Sequence, residues 1–143
     1  MEIFQALRKD HEKQRLLMKI LVETSGDTES RREYFSELKE QLTQHAVAEE
    51  RHFYSPLMES DKTIEDSRHG IAEHHEIDEL VEKLDDTDMS SSAWLHHMKS
   101  LQELVLHHLD EEEMEFFKHA DKVLTEKQKD TLADDYEKEM KQA

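Results

Sequence analysis

The chain has no cysteine. That excludes disulfides, thiolate metal sites and cysteine-ligated iron–sulfur clusters. Its 143 residues contain one proline, Pro56, and two glycines, Gly26 and Gly70. So little punctuation favours long helices with short connections. The β-branched runs that would read as strands are missing. The longest apolar run, Leu16 to Val22, is interrupted by Lys19 and is far too short to cross a bilayer. Basic side chains are scarce as well: 19 Lys and Arg face 36 Asp and Glu, a net charge of -17. Neither nucleic acid nor an anionic membrane is an expected partner. The first residues carry no signal-peptide pattern, so the expected location is the cytoplasm.

Histidine, by contrast, is abundant, with eleven residues spread along the chain. Hydrophobic spacing predicts helices over 2–24, 29–59, 63–85 and 91–120, with a further helix from 125. Ser25-Gly26 is a stop signal for the first. Pro56 predicts a kink or fray near the end of the second, because it cannot donate to the carbonyl of His52. "TIED" at 63–66 and "TEKQ" at 125–128 read as capping boxes. The expected fold is all-α: an antiparallel up-down-up-down four-helix bundle with a short extra C-terminal helix on its outside. The alternative is a helical hairpin completed by dimerisation, which leaves monomer and homodimer both open.

Two stretches nearly repeat. Residues 45–54 read "HAVAEERHFY" and residues 108–117 read "HLDEEEMEFF". His108 lies 63 positions after His45, and the same offset carries His11 to His74, Leu38 to Leu101 and Glu49 to Glu112. The chain therefore reads as one domain, 1–143. It consists of duplicated hairpins at 1–60 and 61–121 with a C-terminal tail at 122–143.

The repeat sets polar groups where a core should be. Phe35, Leu38, Leu42, His45 and Glu49 follow a three-four rhythm, as do Met98, Leu101, Val105, His108 and Glu112. His11 and His74 fall on the apolar stripes of the first and third helices. A carboxylate buried alone costs several kcal/mol or more. Two of them beside four histidines call for a shared cation, and these stripes hold no lysine or arginine. Imidazole with carboxylate suits iron, manganese or zinc. The candidate ligands are His11, His45, Glu49, His74, His108 and Glu112. Glu12, Glu73 and Glu76 are candidate hydrogen-bond partners for the imidazoles. Glu50 and Glu113 turn away, and His52, His69, His75, His96, His97, His107 and His119 read mostly as surface or supporting residues.

The order "DHE" at 10–12, "HAVAEERHFYSPL" at 45–57, "EHHE" at 73–76 and "HLDEEEMEFF" at 108–117 resembles the hemerythrin-like, or HHE cation-binding, family. The resemblance implies two non-haem iron ions with an oxo or hydroxo bridge. His11 and His45 would serve one iron and His74 and His108 the other, with Glu49 and Glu112 spanning both. Zinc or manganese stays open, as do ferritin-like iron oxidation or storage and a zinc-bound structural bundle. Oxygen-carrying members have another histidine one turn before the third-helix histidine; here that position is Gly70. On the resemblance, each iron keeps an open position, unless water or a side chain such as Glu73, His75 or Tyr54 fills it. Small ligands of the O2, peroxide or nitric oxide class are therefore the expected partners. Sensing of iron or oxygen, peroxide degradation and iron oxidation all remain open.

Overall fold

Helices form where spacing and caps place them. A computed structural model describes residues 2–142, which form helices joined by short connections with no strand among them. Helix α1 spans Ile3–Val22, opened by a reciprocal cap between Glu2 and Gln5. Gly26 follows with φ of 65°, a backbone conformation that glycine adopts without steric cost. Helix α2 spans Glu29–Glu49 and starts on Thr28, whose side chain accepts from the Arg31 N–H. It runs on through a π-helical turn, Glu50–Tyr54, into Ser55–Leu57. Helix α3 spans Ile64–Asp85. Helix α4 spans Ser92–Glu111 and likewise runs through a π-helical turn, Glu112–Phe116, into Phe117–Asp121. Helix α5 spans Glu126–Gln142.

Two local expectations are revised. Thr63 does not build a capping box: its hydroxyl instead donates to the Leu57 carbonyl at 2.6 Å and fastens the preceding turn. The box at Thr125 and Gln128 does form. Beside Pro56 the helix makes a π-turn, with the Ser55 N–H bonded to the Glu50 carbonyl. Since α4 makes the same turn without a proline, with the Phe117 N–H bonded to the Glu112 carbonyl, Pro56 is not its general cause. π-Turns insert a residue and re-aim the side chains around them. Both lie beside the inward glutamates.

Helix α1 packs on α2 and α4, and α3 packs on α4 and α2, so the four helices close around a common interior. That interior is split. One apolar cluster gathers Met18, Leu38, Leu84, Trp94 and Met98; the other gathers Ile3, Leu7, Phe53, Phe116 and Phe117. Between them along α1 come His11 and Gln14, both buried. Helix α5 lies against α1 and α2 and buries Ala133 and Tyr136 in the second cluster. It is more than an external tail.

Arg31 secures the connections next to Trp94. It is buried, donates to the carbonyls of Thr24 and Met89 at 2.5 Å each, and lies 4.5 Å from the Trp94 ring centre. Hydrogen bonds from a charged donor contribute about 1.5–3 kcal/mol. Arg31→Ala is expected to lower unfolding stability by roughly 2–3 kcal/mol in urea titrations. A change below about 0.5 kcal/mol, typical of a surface position, would show that the latch is idle.

Candidate metal centre

His11, His45, Glu49, His74, His108 and Glu112 meet between the two apolar clusters, and every one is buried. The two i,i+4 pairs, His45 with Glu49 and His108 with Glu112, come from α2 and α4, each at the start of a π-turn. His11 and His45 stand together, with ring centres 5.2 Å apart, and so do His74 and His108 at 5.0 Å.

The glutamates lie between the histidine pairs. Glu49 Oε2 is 3.9 Å from His11 Nε2 and 3.5 Å from His45 Nε2. Its other oxygen, Oε1, is 3.1 Å from His74 Nε2 and 4.0 Å from His108 Nε2. Glu112 Oε1 is 3.1 Å from His11 Nε2, and its Oε2 is 3.5 Å from His108 Nε2. Each carboxylate thus presents one oxygen to each pair.

Nε2 of His11, His45 and His108, both Glu49 oxygens and Glu112 Oε1 are buried without a hydrogen-bond partner among the described residues. Each such group left alone costs about 1–3 kcal/mol. Six of them aimed at one place fit a cation, which needs donors with free lone pairs. The atoms divide into two overlapping groups that could each hold a metal ion: His11, His45, Glu49 and Glu112, and Glu49, His74 and His108.

The outer ring nitrogens explain why Nε2 faces inward. His11 Nδ1 donates to Glu113 at 2.6 Å, His74 Nδ1 to Glu50 at 2.7 Å and His108 Nδ1 to Glu73 at 2.7 Å. A carboxylate accepts only, so each ring keeps its proton on Nδ1 and leaves the Nε2 lone pair free. Of the three acids that the sequence nominates for this work, only Glu73 does it. Glu12 is exposed and pairs with Arg15. Glu50 and Glu113 do turn away from the centre, but onto the histidines. The offset of 63 relates the two contacts: His11 with Glu113 becomes His74 with Glu50. The offset makes the two contacts equivalent, but it does not by itself show that either forms.

The fourth histidine departs from this rule. The offset carries Asp10 to Glu73, and aspartate is one methylene shorter. Asp10 stops 3.8 Å from His45 Nδ1. Tyr136 of α5 fills the gap: His45 Nδ1 donates to its oxygen at 2.5 Å, and its hydroxyl donates to Asp10. Burial, then the charge of Asp10, pushes the Tyr136 phenol far above its usual range, so it stays protonated. Nothing in the repeat announced this residue, because the tail lies outside it.

Tyr54 is the second asymmetry. Its hydroxyl donates to Glu112 Oε2, and burial and then the nearby carboxylates hold it protonated. Its ring occupies the space next to Gly70: a Cβ there would stand 2.3 Å from Tyr54 Cζ. Across the repeat Tyr54 corresponds to Phe117, and Gly70 to Leu7. At this pair of repeat positions, therefore, only one half of the centre has a phenol.

Without a metal ion the buried carboxylates and imidazoles shift one another's protonation. Burial, then the charge of Glu49, raises the Glu112 carboxyl. Burial pulls Glu49 the same way, but the neighbouring His45 and His11 win and hold it low. Burial lowers His74, while the adjacent carboxylates of Glu49 and Glu50 outweigh it and lift its pKa to about 10.

A model of the hemerythrin HHE cation binding domain matches residues 2–120. A DNA nickase from Nostoc sp. is 30% identical over 117 residues, covering 82% of this chain and 33% of the nickase. The chain thus spans about a third of the length of that curated relative. A crystal structure of a hemerythrin HHE cation binding domain-containing protein from Mycobacterium kansasii has a TM-score of 0.88, covering 99% of this chain and 86% of the other. Its identity of 23% makes this a likeness of fold.

Gly70→Ala is expected to destabilise the chain by about 1–3 kcal/mol through overpacking. In a Tyr54→Ala background most of that cost should vanish, a coupling of roughly 0.5–3 kcal/mol in a double-mutant cycle. Equal costs in both backgrounds would show that the room at Gly70 does not serve Tyr54.

Proposed function

The chain belongs to the hemerythrin HHE cation-binding family, and from that premise we propose that it holds two iron ions and reacts with, or senses, small oxidants. His11 and His45 serve one ion, His74 and His108 the other, and Glu49 and Glu112 span both. The six inward donor atoms without partners carry this reading. We also read the molecule as one domain, with α1 to α4 running up-down-up-down and the two hairpins related by a two-fold. The exchanged contacts of His11 with Glu113 and His74 with Glu50 support that symmetry.

Iron, when bound, supplies redox change and open positions for O2, peroxide or nitric oxide. The chain supplies the surroundings. Carboxylates at Glu50, Glu73 and Glu113 keep three imidazoles in the Nε2-ligating form. The apolar clusters on either side keep water away. Tyr54 places a phenolic proton, not a further imidazole, beside the His74 and His108 half. A fixed hydrogen-bond donor in place of a further ligand there favours reaction or sensing over reversible O2 carriage. Nickase activity does not transfer in this reading. The shared region is a third of that protein, and a net charge of -17 repels a phosphate backbone.

Metal analysis with absorption spectra of anaerobically and aerobically prepared protein tests the proposal. Two irons per chain are expected, with a spectrum that changes on mixing reduced protein with O2. Zinc in their place, or an O2 adduct that releases intact O2 under vacuum, would sink it. Glu49→Ala should lose both ions.

Tyr136→Phe should weaken iron at the His11 and His45 half by about 10–100-fold, the usual effect of losing a partner of a ligating histidine. Adding Asp10→Glu should restore it, because that residue reproduces the direct contact made by Glu73. Competition against a chelator reads both steps. No recovery in the double variant would mean that Tyr136 acts otherwise.

A further inference from the structure

A second histidine–glutamate cluster lies outside the buried centre. His69 and Glu73 are one turn apart on α3; His107 and Glu111 are one turn apart on α4. His107 and Glu111 each precede a residue of the buried set by one position, which turns them about 100° around the helix. One helix therefore carries an inner and an outer pair.

The outer groups converge. His69 Nε2 is 2.7 Å from Glu111 Oε1 and 3.5 Å from Glu73 Oε2. His107 Nε2 is 3.7 Å from Glu111 Oε2. Glu111 Oε1 is buried and accepts no hydrogen bond among the described residues, so its close contact with His69 is out of line for one. Glu73 is the anchor. Its side chain is only 7% exposed; one oxygen holds His108 Nδ1 at 2.7 Å and the other faces this cluster. Ligand atoms of His69, Glu73 and Glu111 all lie within 4.8 Å of one another, as donors around one ion do.

We propose that His69, Glu73 and Glu111 form a separate mononuclear site for a divalent transition-metal ion, open to solvent and joined to the buried centre through Glu73, with exposed His107 beside Glu111 free to swing onto the ion. The two carboxylates carry a charge that such an ion cancels. Nitrogen donors select zinc-like or iron-like ions over calcium and magnesium, which prefer all-oxygen sites. The site is not a by-product of the repeat. The offset of 63 carries its residues to Ala6, Asp10, Gln44 and Ala48. In that half α5 lies across the face, with Ala6 and Ala48 buried in the same cluster as Tyr136. In the other half His69 and His107 are exposed, at 52% and 65%. An ion here would share the carboxylate that orients His108, so its presence is felt at the buried pair.

The test uses the full chain, loaded with iron and cleared of loose metal, titrated with Zn2+ by calorimetry with elemental counting. One further Zn2+ per chain is expected. His69→Ala and His107→Ala should each weaken it by roughly tenfold or more, since losing a ligand costs no less than losing a ligand's partner. Both histidines are exposed, so the fold and the iron content should hold. In Glu49→Ala the outer Zn2+ should persist, which keeps this site distinct from the fate of the buried centre. Zn2+ uptake that is absent, or indifferent to both histidine substitutions, would overturn the proposal.

Discussion

Two carboxylates in the middle of a helical interior are the constraint that organises everything else. Glu49 and Glu112 are sealed from water, and three of their four oxygens find no hydrogen-bond partner among the described residues. Burial of charge on this scale is tolerated only when an opposite charge and good hydrogen bonds accompany it. The rest of the chain supplies those conditions. Apolar clusters flank the polar layer, π-turns aim the glutamates, and a ring of outer acids fixes the histidine tautomers. The acids also bear on the excess negative charge. Much of it belongs to exposed helix faces, but Glu50, Glu73, Glu113 and Asp10 stand behind the histidines.

The duplicated pattern gives two halves that match in plan and differ in detail. Three of the four histidines meet a carboxylate directly. The fourth meets a tyrosine because Asp10 is too short where Glu73 is long enough. One half has Tyr54 against Gly70, whereas the other has Phe117 and Leu7 in the corresponding places. Symmetry supports two equivalent anchoring sites; its breaking makes the two environments chemically unlike. Helix α5 and the outer histidine cluster repeat the theme, since each occupies a face that its counterpart leaves to the other.

Much of this was legible in the sequence because periodicity and burial are linked. A histidine falling on an apolar stripe, matched at a fixed offset, has few innocent explanations. The helix limits and the inward turn of Glu49 and Glu112 follow from spacing; the company of His11 with His45 and His74 with His108 is what the family resemblance implies. The outer contacts do not. Glu113 reaches back to His11 across nearly the whole chain, and side-chain length decides that Asp10 needs Tyr136. Neither is encoded in a local rhythm. Gly70 was legible as an omission, while its physical reason, the ring of Tyr54, comes from a helix that spacing alone does not place beside it. The failed cap at Thr63 has a similar cause: the hydroxyl found a carbonyl from the preceding turn.

The link from His45 through Tyr136 to Asp10 gives the C-terminal helix a thermodynamic stake in the interior. Tyr136 cannot leave without stripping His45 of its partner, so opening of α5 and loosening of that imidazole are one event. By linkage, whatever ties down His45 also makes detachment of α5 rarer. The last helix of the chain is thus a gauge, readable at the surface, of how firmly the centre is held.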